Sequence, residues 1–313
     1  MATFIKTAAI IIVIIGAVFF AVYLWLERSL LPRASTRQFF KLSKMPWRKK
    51  AEGYFYAARP DWYLKPVTWN WLLKLVGKRE NGDPYHGKVL VKEDAARIIT
   101  LDKPVSRDLE HILPYPLARQ LILDHPQPSI GVMECPCRTL SHNSCPRDVC
   151  LVVGEPFVSF ILEHSPGKAR RLTVDEALQI LEEEEQRGHI HTAWFKEVMH
   201  NRFYTICNCC SCCCLGMQSH NRGIPRLAHS GYRPIPDADQ CASCGTCVNI
   251  CPFGAISLQS DAPIVNADKC MGCGVCISHC LLGALNLTEV PEKGVPLNVD
   301  QLLAAEGWQM AGE

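Results

Sequence analysis

Hydrophobic patterning opens with an unbroken apolar run, Thr7 to Leu26, that contains no charged residue. As a helix this run would be ~30 Å long, the hydrocarbon thickness of a bilayer, and it predicts an N-terminal transmembrane helix. No small-x-small cleavage site follows, only Glu27-Arg28-Ser29-Leu30-Leu31-Pro32, so an uncleaved anchor is expected over a signal peptide. Lys6 alone precedes the run, whereas Arg28, Arg33, Arg37, Lys41, Lys44, Arg48, Lys49 and Lys50 follow it. Positive residues stay on the cytoplasmic side, which predicts a single-pass protein of the inner (cytoplasmic) membrane, in contact with the bilayer through residues 7–26 and with its body in the cytoplasm. The basic stretch, with Phe39, Phe40 and Trp47, reads either as a solvated linker or as a segment lying on anionic headgroups.

Residues 51–105 are dense in aromatics: Tyr54, Phe55, Tyr56, Trp62, Tyr63, Trp69 and Trp71. Ordinary packing on the body is the expectation for them. An α/β pattern begins near Ser106. Pro116 to His125 reads as a helix with Leu117, Leu121 and Ile122 on one side. Ser129 to Met133 and Leu151 to Gly154 read as strands, and His189 to Ala193 alternates like another. Thr173-Val174-Asp175-Glu176 is a capping box opening a helix whose apolar side holds Ala177, Leu181 and Leu178, with Gly188 suited to its end. The acidic run Glu182 to Glu185 reads as that helix's solvated face. Asn298 to Met310 predicts a short amphipathic helix. The predicted fold class is α+β, with a transmembrane anchor (1–27), a basic and aromatic juxtamembrane region (28–105), a cysteine-rich α/β domain (106–232), a second, smaller cysteine-rich domain (233–290) and a tail (291–313).

Composition changes this picture in one respect. The formal net charge of +2 across 313 residues gives no reason to expect nucleic acid. Eighteen cysteines are far above ordinary usage. The chain is not a short secreted scaffold, so thiolate ligands in a reducing compartment are expected rather than a disulfide framework.

Eight of those cysteines form two runs, Cys241-x2-Cys244-x2-Cys247-x3-Cys251-Pro252 and Cys270-x2-Cys273-x2-Cys276-x3-Cys280. Three thiols at three-residue spacing wrap a loop round one corner of a cube, and the last Cys of each run ligates the other cluster in two-cluster proteins. One [4Fe-4S] cluster is therefore assigned to Cys241, Cys244, Cys247 and Cys280, the other to Cys270, Cys273, Cys276 and Cys251. The flanks repeat too: Ala238-Asp239-Gln240 matches Ala267-Asp268-Lys269, and Gly254-Ala255-Ile256 echoes Gly283-Ala284-Leu285. Zinc also accepts Cys-x2-Cys pairs, but gains nothing from a third Cys at that spacing or from a Cys-Pro. Leu281 stands where the first run has Pro252 and removes no ligand. Over residues 236–290 the chain resembles the bacterial two-[4Fe-4S] ferredoxin module, and Ile250, Phe253, Ile256, Val265, Ile277 and Leu282 are expected to shield the clusters from water.

Ten cysteines remain: Cys135, Cys137, Cys145 and Cys150, then Cys207, Cys209, Cys210, Cys212, Cys213 and Cys214. Here the chain resembles ferredoxin-like proteins that combine Cys-x-Cys-Arg and Cys-x-Cys-Cys-x-Cys-Cys-Cys segments with a dicluster module. Adjacent side chains on an extended backbone point to opposite faces, so the six thiols of 207–214 cannot all reach one metal. A subset of the ten is expected to form at least one further iron–sulfur cluster bridging Cys135/Cys137 and 207–214, with structural zinc or a thiol store as the alternatives. Arg138 could donate to a cluster sulfur or sit in an ordinary salt bridge. His142, His200 and His220 lie near these segments in sequence without a ligand pattern.

Neither G-x-G-x-x-G, a Walker lysine nor Cys-x2-Cys-His occurs, so no nicotinamide, flavin or attached haem is expected. The reading is an iron–sulfur electron-transfer protein, an accessory subunit serving redox partner proteins, with no catalytic residue assigned. A reductase built on the 135–150 and 207–214 cysteines is the enzyme alternative, and a thiol redox sensor the regulatory one.

Overall fold

Alternation along two neighbouring strands, interrupted by one bulge, sets the architecture. In β7 (Ile190–Lys196), Ala193 and Phe195 face one side of the sheet and Trp194 the other. In β8 (Arg202–Cys209), Phe203 and Ile206 share the first face with them, while Tyr204, Cys207 and Cys209 share the second with Trp194. Both faces are thus apolar and both must be covered. The computed structural model describes residues 2–68, 85–109, 112, 120–125, 127–141, 143–260 and 262–304.

The sheet is completed by β1 (Tyr85–Leu90), β2 (Val105–Asp108), β3 (Gln120–Leu123), β4 (Ile130–Glu134), β5 (Asp148–Val153), β6 (Ala169–Leu172) and β9 (Leu227–Ala228). Its order is β6-β4-β5-β8-β7-β1-β9, with the β2–β3 pair joined beside β8. Pairing is antiparallel except for β1–β9 and β3–β8. The register between β7 and β8 shifts where Trp194 pairs Thr205 and Phe195 pairs Phe203. Tyr204 is therefore the extra residue of a bulge, which turns it and Thr205 toward the same cavity.

One face is covered by α5 (Lys92–Ile99) and α8 (Val174–Gln186), whose Ala95, Ile98, Ile99, Ala177 and Leu181 pack on Val132, Leu151, Ala193 and Ile206. The expected capping box starts α8: the Thr173 hydroxyl accepts from the Glu176 amide, and the Glu176 carboxylate accepts from the Thr173 amide. The second face is covered by α2 (Ala34–Lys41), α3 (Trp47–Ala58) and α7 (Phe157–His164), joined by α4 (Pro60–Leu64), with Phe39, Tyr54 and Phe160 fully or nearly buried. The basic stretch after residue 27 is thus mostly helical and docked. Trp69 and Trp71 fall outside the described residues.

Three sequence expectations are corrected. A helix, α1 (Ala2–Glu27), does occupy the N-terminal apolar run, yet among the described residues no helix is long and apolar enough to cross a membrane. The transmembrane part of the predicted fold class does not hold, and the α+β part does. The run's last turn is built into the body instead: Leu26 and Glu27 are buried, Glu27 accepts hydrogen bonds from Tyr54 (2.5 Å) and Thr36 (3.0 Å), and Arg59 lies 4.6 Å from the Trp25 ring centre.

The helix expected over 116–125 is strand β3 where it is described. Leu121 and Leu123 are buried with Ile122 less so, a period of two rather than 3.6. The acidic run is only partly solvated: Glu182 is exposed and Glu183 half-buried, but Glu184 and Glu185 are buried in α8. The closing helix is α12 (Val299–Ala304), and residues beyond 304 lie outside the description.

After β9 the chain forms a smaller unit. Here β10 (Tyr232–Pro236) pairs antiparallel with β13 (Leu285–Glu289), and β11 (Ile256–Gln259) with β12 (Ala262–Val265). Two short helices, α10 (Thr246–Ile250) and α11 (Val275–Ser278), each lie within a cysteine run and carry its third cysteine, Cys247 and Cys276.

Candidate metal centres

In the C-terminal unit the two cysteine runs fold alike. Positive φ recurs at matched places, Ser243 with Gly272, Gly245 with Gly274, and Gly254 with Gly283, so each run curls round its thiols in the same way. Backbone amides then point at sulfur: Ser243 N to Cys241 Sγ (3.4 Å), Ala255 N to Cys251 Sγ (3.3 Å) and Ala284 N to Cys280 Sγ (3.3 Å). Such donors favour thiolate over thiol.

Cys241, Cys244, Cys247 and Cys280 line one cavity with Leu258, Leu282 and Leu285. Cys251 is brought instead to the other run, where it is a charged neighbour of Cys270, Cys273 and Cys276 alike. Burial pushes Cys270 and Cys273 up, and Cys276 up to about 12, so cations are needed to hold these thiols ionised. Among the described residues no sulfur–sulfur hydrogen bond joins these eight thiols, a spacing that suits one thiolate per iron at the corners of a cube. Of the six expected shielding residues, Ile256 is buried, four are intermediate and Leu282 is exposed.

The two cavities differ in placement. Cys244 is exposed, and beside Cys280 Leu281 is fully exposed, so the first set faces outward. Cys273 and Val275 belong to the same buried apolar cluster as Trp194, Cys209 and Cys214, so the second set abuts the large sheet. Ser278 on α11 donates to Glu185 Oε1 (2.7 Å) across that junction, which is why Glu185 is buried.

The ten upstream thiols separate into two groups, and strand geometry does the sorting. Cys150 and Cys207 are direct cross-strand partners on β5 and β8, and Cys209, two residues on, lies on the same face. Asn208 points the other way, accepting from His191 Nδ1 (2.6 Å) and donating to the Val149 carbonyl (2.7 Å). Cys135 and Cys137 sit where β4 runs into the short helix α6 (Pro136–Ser141), and Cys214 caps α9 (Leu215–Asn221). These six are successive neighbours round a ring: Cys135 beside Cys137 and Cys150, Cys150 beside Cys207, Cys207 beside Cys209, and Cys214 beside Cys137, with the Cys214 thiol donating to Cys209 Sγ (3.2 Å). All six line one largely apolar cavity.

The other four, Cys145, Cys210, Cys212 and Cys213, have sulfurs all within 4.8 Å of one another. The structure thus brings Cys207, Cys209 and Cys214 to the same cavity as Cys135 and Cys137, while Cys210, Cys212 and Cys213 gather with Cys145.

Arg138 takes the salt-bridge alternative. Buried beneath the ring, it donates to Glu184 Oε2 (2.5 Å), the Asn208 carbonyl (2.8 Å) and the Pro146 carbonyl (2.5 Å). Burial alone would raise Glu184, but hydrogen bonds from His189 and Arg138 hold its carboxyl below the usual range. Sequence reading missed two residues of the ring cavity, Tyr56 and Tyr204, whose hydroxyls meet at 2.7 Å. Lys196 Nζ lies 3.8 Å from the Tyr56 ring centre. Tyr56 could not have been assigned from local pattern, since it reaches the site from α3.

A module of two matched halves, each presenting separated thiols with amide donors, defines an iron–sulfur protein. Residues 233–281 match the family model of the 4Fe-4S dicluster domain. No curated protein matches the chain.

Proposed function

We propose that the protein is an electron carrier with its thiol sets arranged in sequence from surface to interior. The observation that carries this reading is the crossing of Cys251 and Cys280: each leaves its own run to complete the other's set of four. Cys241, Cys244, Cys247 and Cys280 would hold the outer [4Fe-4S] cluster, and Cys251, Cys270, Cys273 and Cys276 the inner one. Bound there, the clusters supply one-electron relay at low potential. The chain's own residues fix the thiolates, aim amides at sulfur and exclude water around the inner set. The six-thiol ring is the candidate seat of a further iron–sulfur centre, next in line behind Cys273. A redox partner protein would meet the outer set at the exposed Leu281 and Leu282.

A second reading is favoured by one observation, the Tyr56–Tyr204 hydroxyl pair in the ring cavity. Two buried phenols beside a metal–sulfur centre could deliver protons to a bound substrate, which would make the ring a reductase site.

Iron and acid-labile sulfide per chain, with EPR of the reduced anaerobic protein, test the first reading. About eight irons in the module with interacting cubane signals are expected, plus iron held by the ring. A module loaded only with zinc and lacking sulfide would overturn it. A substrate-dependent change confined to the ring's signal would favour the reductase.

A further inference from the structure

The four thiols outside the ring differ in geometry from every other thiol set in the molecule. Cys145 Sγ lies 3.5 Å from Cys212 Sγ and 3.7 Å from Cys213 Sγ, and Cys212 and Cys213 are 3.4 Å apart. A tetrahedral ion with metal–sulfur bonds of ~2.3 Å sets its ligand sulfurs at edges of roughly 3.8 Å. A cubane places one thiolate on each of four irons and spreads them wider, as in the dicluster module, where no sulfur–sulfur hydrogen bond is found among the described residues. Six thiols in a ring do not suit one ion either: among the described residues, no three of them come within 4.8 Å of one another, whereas Cys145, Cys210, Cys212 and Cys213 do.

We propose that Cys145, Cys210, Cys212 and Cys213 hold a single tetrahedral metal ion of the thiophilic class, zinc or iron, with no inorganic sulfide. All four positions are filled by protein, so the site is closed and structural. The surroundings supply what four thiolates on one divalent ion require. Asn143 Nδ2 donates to Cys213 Sγ (3.5 Å), and Arg138 is a cationic neighbour of Cys210. Gln218 donates to the Cys212 carbonyl (3.0 Å) and steadies the turn.

Its place in the chain gives the ion a task. Cys209 and Cys210 are adjacent, as are Cys213 and Cys214, and in each pair one thiol belongs to the ring and the other to the four-thiol site. The ion would therefore pin the 210–213 turn to the loop carrying Cys145, and thereby set the positions from which Cys209 and Cys214 enter the ring.

The test uses the full anaerobic chain and its Cys212→Ser variant, with metal and sulfide counted on both and X-ray absorption measured at the zinc and iron edges. One ion per chain beyond the sulfide-linked iron is expected, bound by four sulfurs at ~2.3 Å with no nearby metal. Its edge tells zinc from iron, and either supports the proposal. Cys212→Ser should lose that one ion with sulfide unchanged and the module's EPR intact, which also shows that the variant folds. The proposal is overturned if Cys212→Ser sheds about four irons with their sulfide, the signature of a cubane, or if the wild-type chain holds no sulfide-free ion. Absence of cubane signals altogether would sink the electron-carrier reading while leaving the single-ion count to stand or fall alone.

Discussion

The dicluster module and the large sheet assemble thiols by opposite means. In the module, each run curls three thiols together through its own turns, and only Cys251 and Cys280 travel to the other half. In the sheet, the ring draws on the end of β4, the middle of β5, the end of β8 and the cap of α9. A local loop writes its ligand set as spacing. A site assembled across strands writes only which residues share a face, and that becomes a site once register is known.

The sharpest way to break the comparison is Arg138→Met. Its guanidinium ties Asn208, between two ring thiols, to Glu184 on α8 and to the Pro146 carbonyl near Cys145. Removing one partner of a buried ion pair costs about 3–5 kcal/mol, with His189 and Arg187 remaining on Glu184 to hold the loss toward the lower end. Metal bound upstream should fall, while a module that folds through its own turns keeps its EPR signals. Equal loss from both regions, measured by metal content and thermal unfolding, would show that the module depends on the sheet.

That asymmetry also explains how much could be read beforehand. The spacing of the runs led to the expectation of crossed sets of four, which brings Cys280 to the cavity of the first run, and four consecutive residues gave the capping box at Thr173. The division of Cys207 to Cys214 did not. Opposite facing of neighbours excluded one metal for all six, but assigning Cys207 and Cys209 to one site and Cys210 to another needs β8 to end at Cys209 and turn. Burial of Glu184 was nearer to hand: the cap fixes the phase of α8, and Ala177, Leu181 and Glu184 then lie on one side. A charge run overrode that phase in the reading, and the buried Arg138 that makes it tolerable comes from a distant helix. Among the described residues of α1 only the last turn packs on the body, at Leu26 and Glu27, while Val13, Phe19 and Phe20 are exposed.

A smaller effect is expected from Gly272→Ala, which probes how the inner run packs against the start of β10. Gly272 has φ +66°, and an added Cβ would run into the Tyr232 carbonyl and the Ser230 hydroxyl, which itself donates to the Gly272 carbonyl (2.6 Å). Strain of this kind costs about 1–3 kcal/mol. The inner set holds Cys270 and Cys273 on either side of this residue, so its signal should shift or weaken while the outer set's is kept. An unchanged inner signal would show that this contact does not position the thiols.

The smallest effect sharpens the comparison from the side of stability. Thr173→Ala deletes the hydroxyl that accepts from the Glu176 amide (3.2 Å) at the first turn of α8. Loss of such a cap costs ~1 kcal/mol, which lowers the midpoint of a domain this size by roughly 2–4 °C. Glu184 and Glu185 stand at the far end of the same helix, held by Arg138 and Ser278. Fraying at the first turn stops well short of them, so metal content and both sets of EPR signals should be unchanged at 25 °C. A change in the upstream metal count at constant unfolding midpoint would mean that α8 transmits strain along its length to Arg138. The ring would then be sensitive to any distortion of the sheet's cover, whereas the module, whose turns are its own, would not.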